Sequence, residues 1–205
     1  MHLNDRPASS TRGAAHNSLI RVVAEWVGLI LTAFVIAQLI TTFVVQLFIV
    51  PTGSMIPTIT PGDRLIVAKY AYRFGDPKRG DVAVFKNWTA GQPDLVKRVI
   101  GIPGDTIAFQ ESGMLNGGPA GTFTVNGLRL DEPYLAESNR LTVPGRDGQG
   151  RPTRYPLRLG PGQYWLMGDN RNNSGDSRYN GPVARGMFIG KALFDLWPIT
   201  DAKRL

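Results

Sequence analysis

From Trp26 to Val50 the chain carries no charged residue. Leu, Ile, Val and Phe fill the stretch, relieved only by Gln38, Gln46 and a few threonines, with no polar face at helical spacing. A helix of this length measures roughly 37 Å at about 1.5 Å per residue, more than the ~30 Å of a hydrocarbon core. The pattern therefore predicts one membrane crossing over 22–50, tilted or with an extended end. The run is too long for the apolar region of a cleavable secretory signal, and Pro51 follows it instead of an Ala-x-Ala site. A retained anchor is the expectation. Arg6, Arg12 and Arg21 precede it and Arg64 is the first positive charge after it, so residues 1–21 are expected in the cytoplasm and the rest across the membrane. Within that tail, residues 1–18 are small and polar and read as disordered.

Beyond the anchor the periodicity changes. Short apolar runs at Leu65–Ala68, Val82–Phe85, Leu95–Ile100, Thr106–Phe109, Thr122–Val125, Gln163–Met167 and Ala192–Trp197 are separated by Gly-Asp, Pro-Gly and Asn-Gly pairs. No helical pattern of useful length competes. The prediction is an all-β globular domain of antiparallel sheets, with 51–105 and 161–200 as its body. Residues 106–160 are expected to form a smaller, looser inserted β/loop region rich in Gly and Pro. The 24 glycines and 15 prolines of the chain suit that turn-rich architecture.

Composition narrows the chemistry. With no cysteine, disulfides, zinc-thiolate sites and thiol nucleophiles are excluded. The only histidines, His2 and His16, lie in the polar tail, which removes a Ser-His-Asp triad and most metal sites from the folded part. No metal or cofactor is implied. The net charge is +7, but the densest basic stretch, Arg140, Arg146, Arg151, Arg154 and Arg158, lies in a Pro/Gly-rich segment without interleaved aromatics. That argues against nucleic acid. Attraction to anionic lipid head groups and a merely solvated basic loop both fit.

Ser54 sits in Pro51-Thr52-Gly53-Ser54-Met55-Ile56-Pro57-Thr58. If the helix ends near Val50, its hydroxyl lies within roughly 14 Å of the helix end at about 3.5 Å per residue. Two prolines and a glycine restrict the backbone there, and a serine between Gly and Met is by itself more often a turn residue. Lys97 interrupts the apolar strand Asp94-Leu95-Val96-Lys97-Arg98-Val99-Ile100 and shares a face with Leu95 and Val99, with Arg98 pointing to the other side. Such a lysine usually snorkels to water. A serine protease without histidine needs another base, however, and a desolvated lysine is one solution. Lowering its pKa from about 10.4 to about 8 takes roughly 3 kcal/mol. The segment Gly168-Asp169-Asn170-Arg171-Asn172-Asn173-Ser174-Gly175-Asp176-Ser177-Arg178-Tyr179 has the look of an Asx-rich turn. No register of it gives a calcium loop.

Taken in order, Ser54-Met55-x-Pro57-Thr58 just after a membrane helix, Gly62–Val67, Lys78-Arg79-Gly80-Asp81-Val82, the Lys97 strand with Gly101-Ile102-Pro103-Gly104-Asp105, the Gly168 segment, and Gly190-Lys191-Ala192-Leu193-Phe194-x-x-Trp197-Pro198 resemble the motif boxes of type I signal peptidases. The likeness covers about Trp26 to Pro198. It implies a membrane-bound serine endopeptidase that cleaves signal peptides from exported preproteins after Ala-x-Ala sites, at the bacterial inner membrane. It implies Ser54 as nucleophile, Lys97 as general base, and the Ser54 N–H with the Thr52 hydroxyl as oxyanion hole. In that family the serine matching Ser174 hydrogen-bonds the lysine, and the residues matching Asp176 and Arg178 form a supporting salt bridge. Substrate is expected as an added strand along Val50, Pro51, Asp94, Leu95 and Val96. Two features depart from larger relatives: the interval from Lys97 to Ser174 is short, and one anchor replaces two. A conjugative pilin-maturation peptidase or an organelle inner-membrane peptidase would carry overlapping motifs. A self-cleaving repressor also uses Ser-Lys but needs a DNA-binding domain. A non-catalytic, membrane-anchored domain that binds envelope partners would tolerate loss of Ser54 and Lys97.

Overall fold

The computed structural model describes residues 12–196 and 202–205. Helix α1 (Arg12–Leu39) passes into a wider π turn, Ile40–Val44. From Arg21 to Val44 every residue is exposed, and this stretch of 24 residues is long and apolar enough to cross a membrane. The helix begins inside the segment read as a disordered tail; residues 1–11 lie outside the described residues. Its end also differs from expectation. Val45–Ile49 is not helix but strand β1, paired antiparallel with β2 (Arg64–Ala68), Val45 opposite Ala68 and Ile49 opposite Arg64. An unbroken apolar run has no periodicity to separate helix from strand. Here the partner strand decides, and Phe48 packs onto the domain core. Nearby, Thr41 donates its hydroxyl back to the Ala37 carbonyl at 3.0 Å, close to where regular helical bonding gives way. Ser54 consequently lies ten residues beyond Val44, not four beyond a helix.

Residues from Val44 onward form one unit. Its further strands are β3 (Val82–Phe85), β4 (Leu95–Gly101), β5 (Thr106–Leu115), β6 (Gly118–Val125), β7 (Leu128–Arg129), β8 (Leu157–Arg158), β9 (Gln163–Met167), β10 (Val183–Ala184), β11 (Phe188–Asp195) and β12 (Lys203–Arg204), with a four-residue helix α2 (Ser177–Asn180) before β10. One sheet runs β1-β2-β11-β3-β4-β9-β10, with β12 added to β11; the other runs β7-β6-β5-β8. Every pairing is antiparallel. The closing strand starts earlier than its apolar run suggested, and Trp197 and Pro198 lie outside the described residues.

Within the region read as a smaller, looser β/loop insertion, residues 106–129 and 157–158 build the second sheet. Two Asn-Gly pairs make its hairpins: Asn116 and Gly117 (φ 51° and 78°), and Asn126 and Gly127 (φ 53° and 79°). Positive φ at both central residues gives the turn whose twist matches paired strands. The β5–β6 ladder therefore runs from Ile107 opposite Val125 to Leu115 opposite Gly118. Only the stretch after β7 fits the looser description.

Three apolar clusters hold the unit. Val50, Met55, Ile59, Leu65, Val67, Val82, Val84 and Ala192 form one, while Tyr72, Ala83, Phe85, Val99, Tyr164, Leu166 and Val183 form the second. Adjacent residues of β3 thus enter different clusters, so both faces of this central strand are buried. The third cluster, Ile100, Ile107, Phe123, Val125, Leu159, Trp165 and Met167, draws on strands of both sheets. A Cβ on Gly101 would stand 2.6 Å from Ile107 Cδ1 and 2.8 Å from Leu159 Cδ1. Gly101→Ala is expected to cost about 1–3 kcal/mol by overpacking. Gly113→Ala, whose nearest contact would be 3.9 Å, should be close to neutral. Urea midpoints of the two variants in detergent check this, and equal midpoints would remove the close approach as a constraint.

Candidate active site

Three segments distant in sequence meet at Ser54. Its own loop is wedged by Met55 and Ile59, both fully buried. The Ser54 carbonyl accepts the Asn170 N–H at 3.1 Å, and the Gly53 carbonyl accepts the Asn170 side-chain amide at 3.0 Å. Asn170 thus seats the Ser54 loop against the 168–178 turn. From β4, Lys97 Nζ donates to Ser54 Oγ at 2.6 Å and to the Val96 carbonyl at 2.9 Å. Thr52 Oγ1 lies 3.4 Å from Ser54 Oγ.

Lys97 is 2% exposed. Burial, opposed by the negative charge of Asp176 and Asp169 and aided by the positive charge of Arg178, lowers its pKa to about 8. The neighbouring carboxylates have partners of their own. Asp176, fully buried, receives Nε and Nη2 of Arg178, each at 2.8 Å, and caps the first turn of α2 through the Arg178 N–H. Burial alone would push the Asp176 carboxyl up; the Arg178 charge and hydrogen bonds from Arg178, Gly168 and Ser174 outweigh it and hold the carboxyl below its usual range. Asp169 receives Arg98 Nε at 2.9 Å and Nη2 at 2.6 Å, and the Thr58 hydroxyl at 2.5 Å. Arg98 is therefore a buried ion-pair partner, bonded to different groups from its neighbour Lys97.

The 168–178 turn comes against Ser54 because Gly168 has no side chain. A Cβ there would lie 2.3 Å from Ser174 Oγ and 2.4 Å from the Ser54 carbonyl oxygen. One expectation changes at this point. The Ser174 hydroxyl donates to Asp176 Oδ2 at 2.8 Å and is absent from the hydrogen-bond partners of Lys97. A fully buried carboxylate is the stronger acceptor, and Lys97 already has two oxygens to bond.

Of the residues expected to meet substrate, Pro51 and Asp94 are exposed, Leu95 and Val96 half-buried, and Val50 buried. Val50 bonds through both N–H and C=O to Asp63 and Gly62, so free backbone groups on that side start at Pro51. On the other side β9 pairs with β4 only from Arg98 onward, which leaves the edge at Leu95 and Val96 open. Asp169 and Asn170 escaped the sequence reading as individual residues, although their segment stood out. Among the described residues no cluster of three or more His, Cys, Asp or Glu could hold a metal.

Residues 23–197 match the protein family described as signal peptidase, peptidase S26. The chain is 36% identical over 176 residues to a probable signal peptidase I-2 of Synechocystis, covering 82% of this chain and 70% of that one. It is 38% identical over 172 residues to signal peptidase I of Leptolyngbya laminosa, covering 80% and 75%. With signal peptidase I of Bacillus amyloliquefaciens the figures are 34% over 185 residues, covering 88% of each.

The buried lysine should mark the stability curve. Below pH 8 folded and unfolded chains both carry the proton, and keeping the ammonium buried costs about 3 kcal/mol for a shift from 10.5 to about 8. Between pH 8 and 10.5 the unfolded chain binds a proton that the folded one lacks, so unfolding free energy rises with pH in that window. Lys97→Met is expected to stabilise the protein at pH 7, by up to about 3 kcal/mol, and to flatten that rise. Thermal unfolding across pH 7–10.5 measures both; a wild-type curve that is flat there would contradict a lowered lysine.

Proposed function

The chain belongs to the signal peptidase family, peptidase S26, whose reaction is the removal of signal peptides from preproteins, and on that premise we propose that Ser54 and Lys97 are its catalytic dyad. The observation that carries the reading is the 2.6 Å contact between Ser54 Oγ and an amine that burial holds near pKa 8. Such an amine is neutral in a useful fraction near neutral pH and can take a proton at the same distance over which it now donates one.

Neutral Lys97 accepts the Ser54 proton as the serine oxygen attacks the carbonyl that follows the signal segment. The resulting oxyanion is received by the Ser54 N–H and the Thr52 hydroxyl. As the tetrahedral intermediate collapses, the C–N bond breaks and Lys97 gives its proton to the leaving amine. Lys97 then deprotonates the water that hydrolyses the acyl-enzyme. The preprotein lies extended along the open edge at Leu95 and Val96, with its backbone paired to β4 and small residues at the positions before the cut. In β4 the Val99 N–H and C=O both bond toward β3. By two-residue alternation, those of Val96 and Asp94 face the open edge.

The apolar segment Arg21–Val44 is the anchor. Arg21 stands at its first position and Arg64 is the first cation after it. This supports a cytoplasmic N-terminus, with the catalytic unit on the outer face of a bacterial inner membrane.

The test is cleavage of a preprotein by the full chain in detergent, with the fold of each variant checked by circular dichroism. Ser54→Ala and Lys97→Met should abolish cleavage after Ala-x-Ala, and Thr52→Val should lower the rate about 10²–10³-fold. For the wild type, kcat/KM should fall as pH drops below about 8, because protonated Lys97 cannot act as base. Full activity in a folded Lys97→Met variant would put the base elsewhere.

A further inference from the structure

Between β7 and β8 the chain contains no named strand, only one short 3-10 turn, Glu137–Asn139. Its first part, residues 131–142, nevertheless lies against the 168–178 turn through a continuous set of contacts. The Arg98 guanidinium sits over the Tyr134 ring, 3.9 Å from its centroid. The Tyr134 hydroxyl donates to Glu132 at 2.6 Å. Glu132 in turn takes both terminal nitrogens of Arg171, Nη1 at 3.2 Å and Nη2 closer. Arg171, 2% exposed, donates Nε to the Gly168 carbonyl at 3.0 Å. Further along, the Asn172 N–H donates to Asn139 Oδ1 at 3.2 Å and its amide donates to the carbonyls of Ser138 and Leu141. Arg178 Nη1 donates to Thr142 Oγ1 at 2.6 Å.

These contacts converge on groups that surround Lys97 without being the dyad. Arg98 is its neighbour in β4 and holds Asp169; Gly168 is the close-approach point against Ser54; Arg178 holds Asp176. Among the described residues no hydrogen bond runs from 131–142 to Ser54 or Lys97 themselves. We propose that this strap is a positioning element for the catalytic base. Glu132 and Tyr134, acting through Arg171 and Arg98, hold the 168–178 turn at the separation from Lys97 that keeps its amine dry. The inference rests on the dyad reading and gives part of the inserted region a task other than binding substrate.

Two physical points favour positioning over simple cohesion. Arg171 binds Glu132 on one side and the Gly168 carbonyl on the other, so it transmits the position of the strap directly to the turn. Its partner carboxylate, 13% exposed, is nearly dry, so the pair is poorly screened and removal of either member leaves a buried charge alone.

The experiment follows Glu132→Gln and the double variant Glu132→Gln/Arg171→Met in detergent, with Lys97→Met alongside. It reads kcat/KM against pH, thermal stability, and the titration of Lys97 by NMR of the ¹³C-methylated lysine, assigned by its loss in Lys97→Met. The single variant should lose stability and roughly 10- to 100-fold in rate. Its Lys97 midpoint and the acid limb of its pH profile should both move up in pH. The double variant, with both charges removed, should regain stability while the limb and midpoint stay displaced. If both variants titrate and cleave along the wild-type pH curve, whatever their stability, the strap is only structural and the proposal falls. A Lys97→Met variant that still cleaves would sink the dyad reading instead, and the NMR midpoint would still decide the strap.

Discussion

The site depends on keeping one ammonium buried without giving it a carboxylate. Lys97 has two aspartates in electrostatic reach, and either would hold it protonated if free. Each is engaged elsewhere: Asp176 by a two-point bond from Arg178, Asp169 by a two-point bond from Arg98. An arginine stays charged when buried and its planar fork matches a carboxylate, which a second lysine would not do. Arg178 opposes the pull of the aspartates on Lys97, and desolvation, the largest influence, decides the lysine. The motif Lys97-Arg98 divides the two cations: Lys97 bonds neutral oxygens, and Arg98 pairs with Asp169.

Burying this many charges is poor economy for stability, since paired ions in a core seldom repay their desolvation. The fold compensates through position. Strand β4 lies between β3 and β9 in the larger sheet, with the second and third clusters drawing on Val99 and Ile100. Lys97 is therefore held by a central strand whose backbone is fixed on the β3 side, while β9 stops short at Arg98. The same short pairing leaves an open edge just where an extended substrate would need one.

Much of this was readable from sequence, and the failures share a cause. Strands at Val82–Phe85 and Gln163–Met167 match their apolar runs, and the Asn-Gly pairs announce hairpins because the chemistry of a turn is local. The pairing of Ser54 with Lys97 was suggested only by resemblance: neither a serine beside glycine nor a lysine in a strand signals catalysis alone. Most of what stayed hidden was long-range. Val45–Ile49 is a strand because Arg64–Ala68 lies beside it. Ser174 bonds Asp176, and not Lys97, because a buried carboxylate lies within reach. Asn170 seats Ser54 across 116 positions, and Glu132 finds Arg171 across 39. Ser174 and Asp176 stand two positions apart, but no short window of sequence contains both members of the other pairs.

The strand that replaced the last part of the expected helix also changes how Ser54 is held. A helix ending near Val50 would leave Ser54 on a short tether beyond it. Instead the chain leaves the apolar segment at Val44 and enters β1, bonded residue by residue to β2, before Val50 closes onto Asp63 and Gly62. Five strand residues advance about 17 Å, along a path fixed by a ladder that continues into β11 and β3 and so to β4 and Lys97. The serine and the lysine are thus referred to one sheet. Their 2.6 Å contact does not depend on the conformation of the chain before Val44.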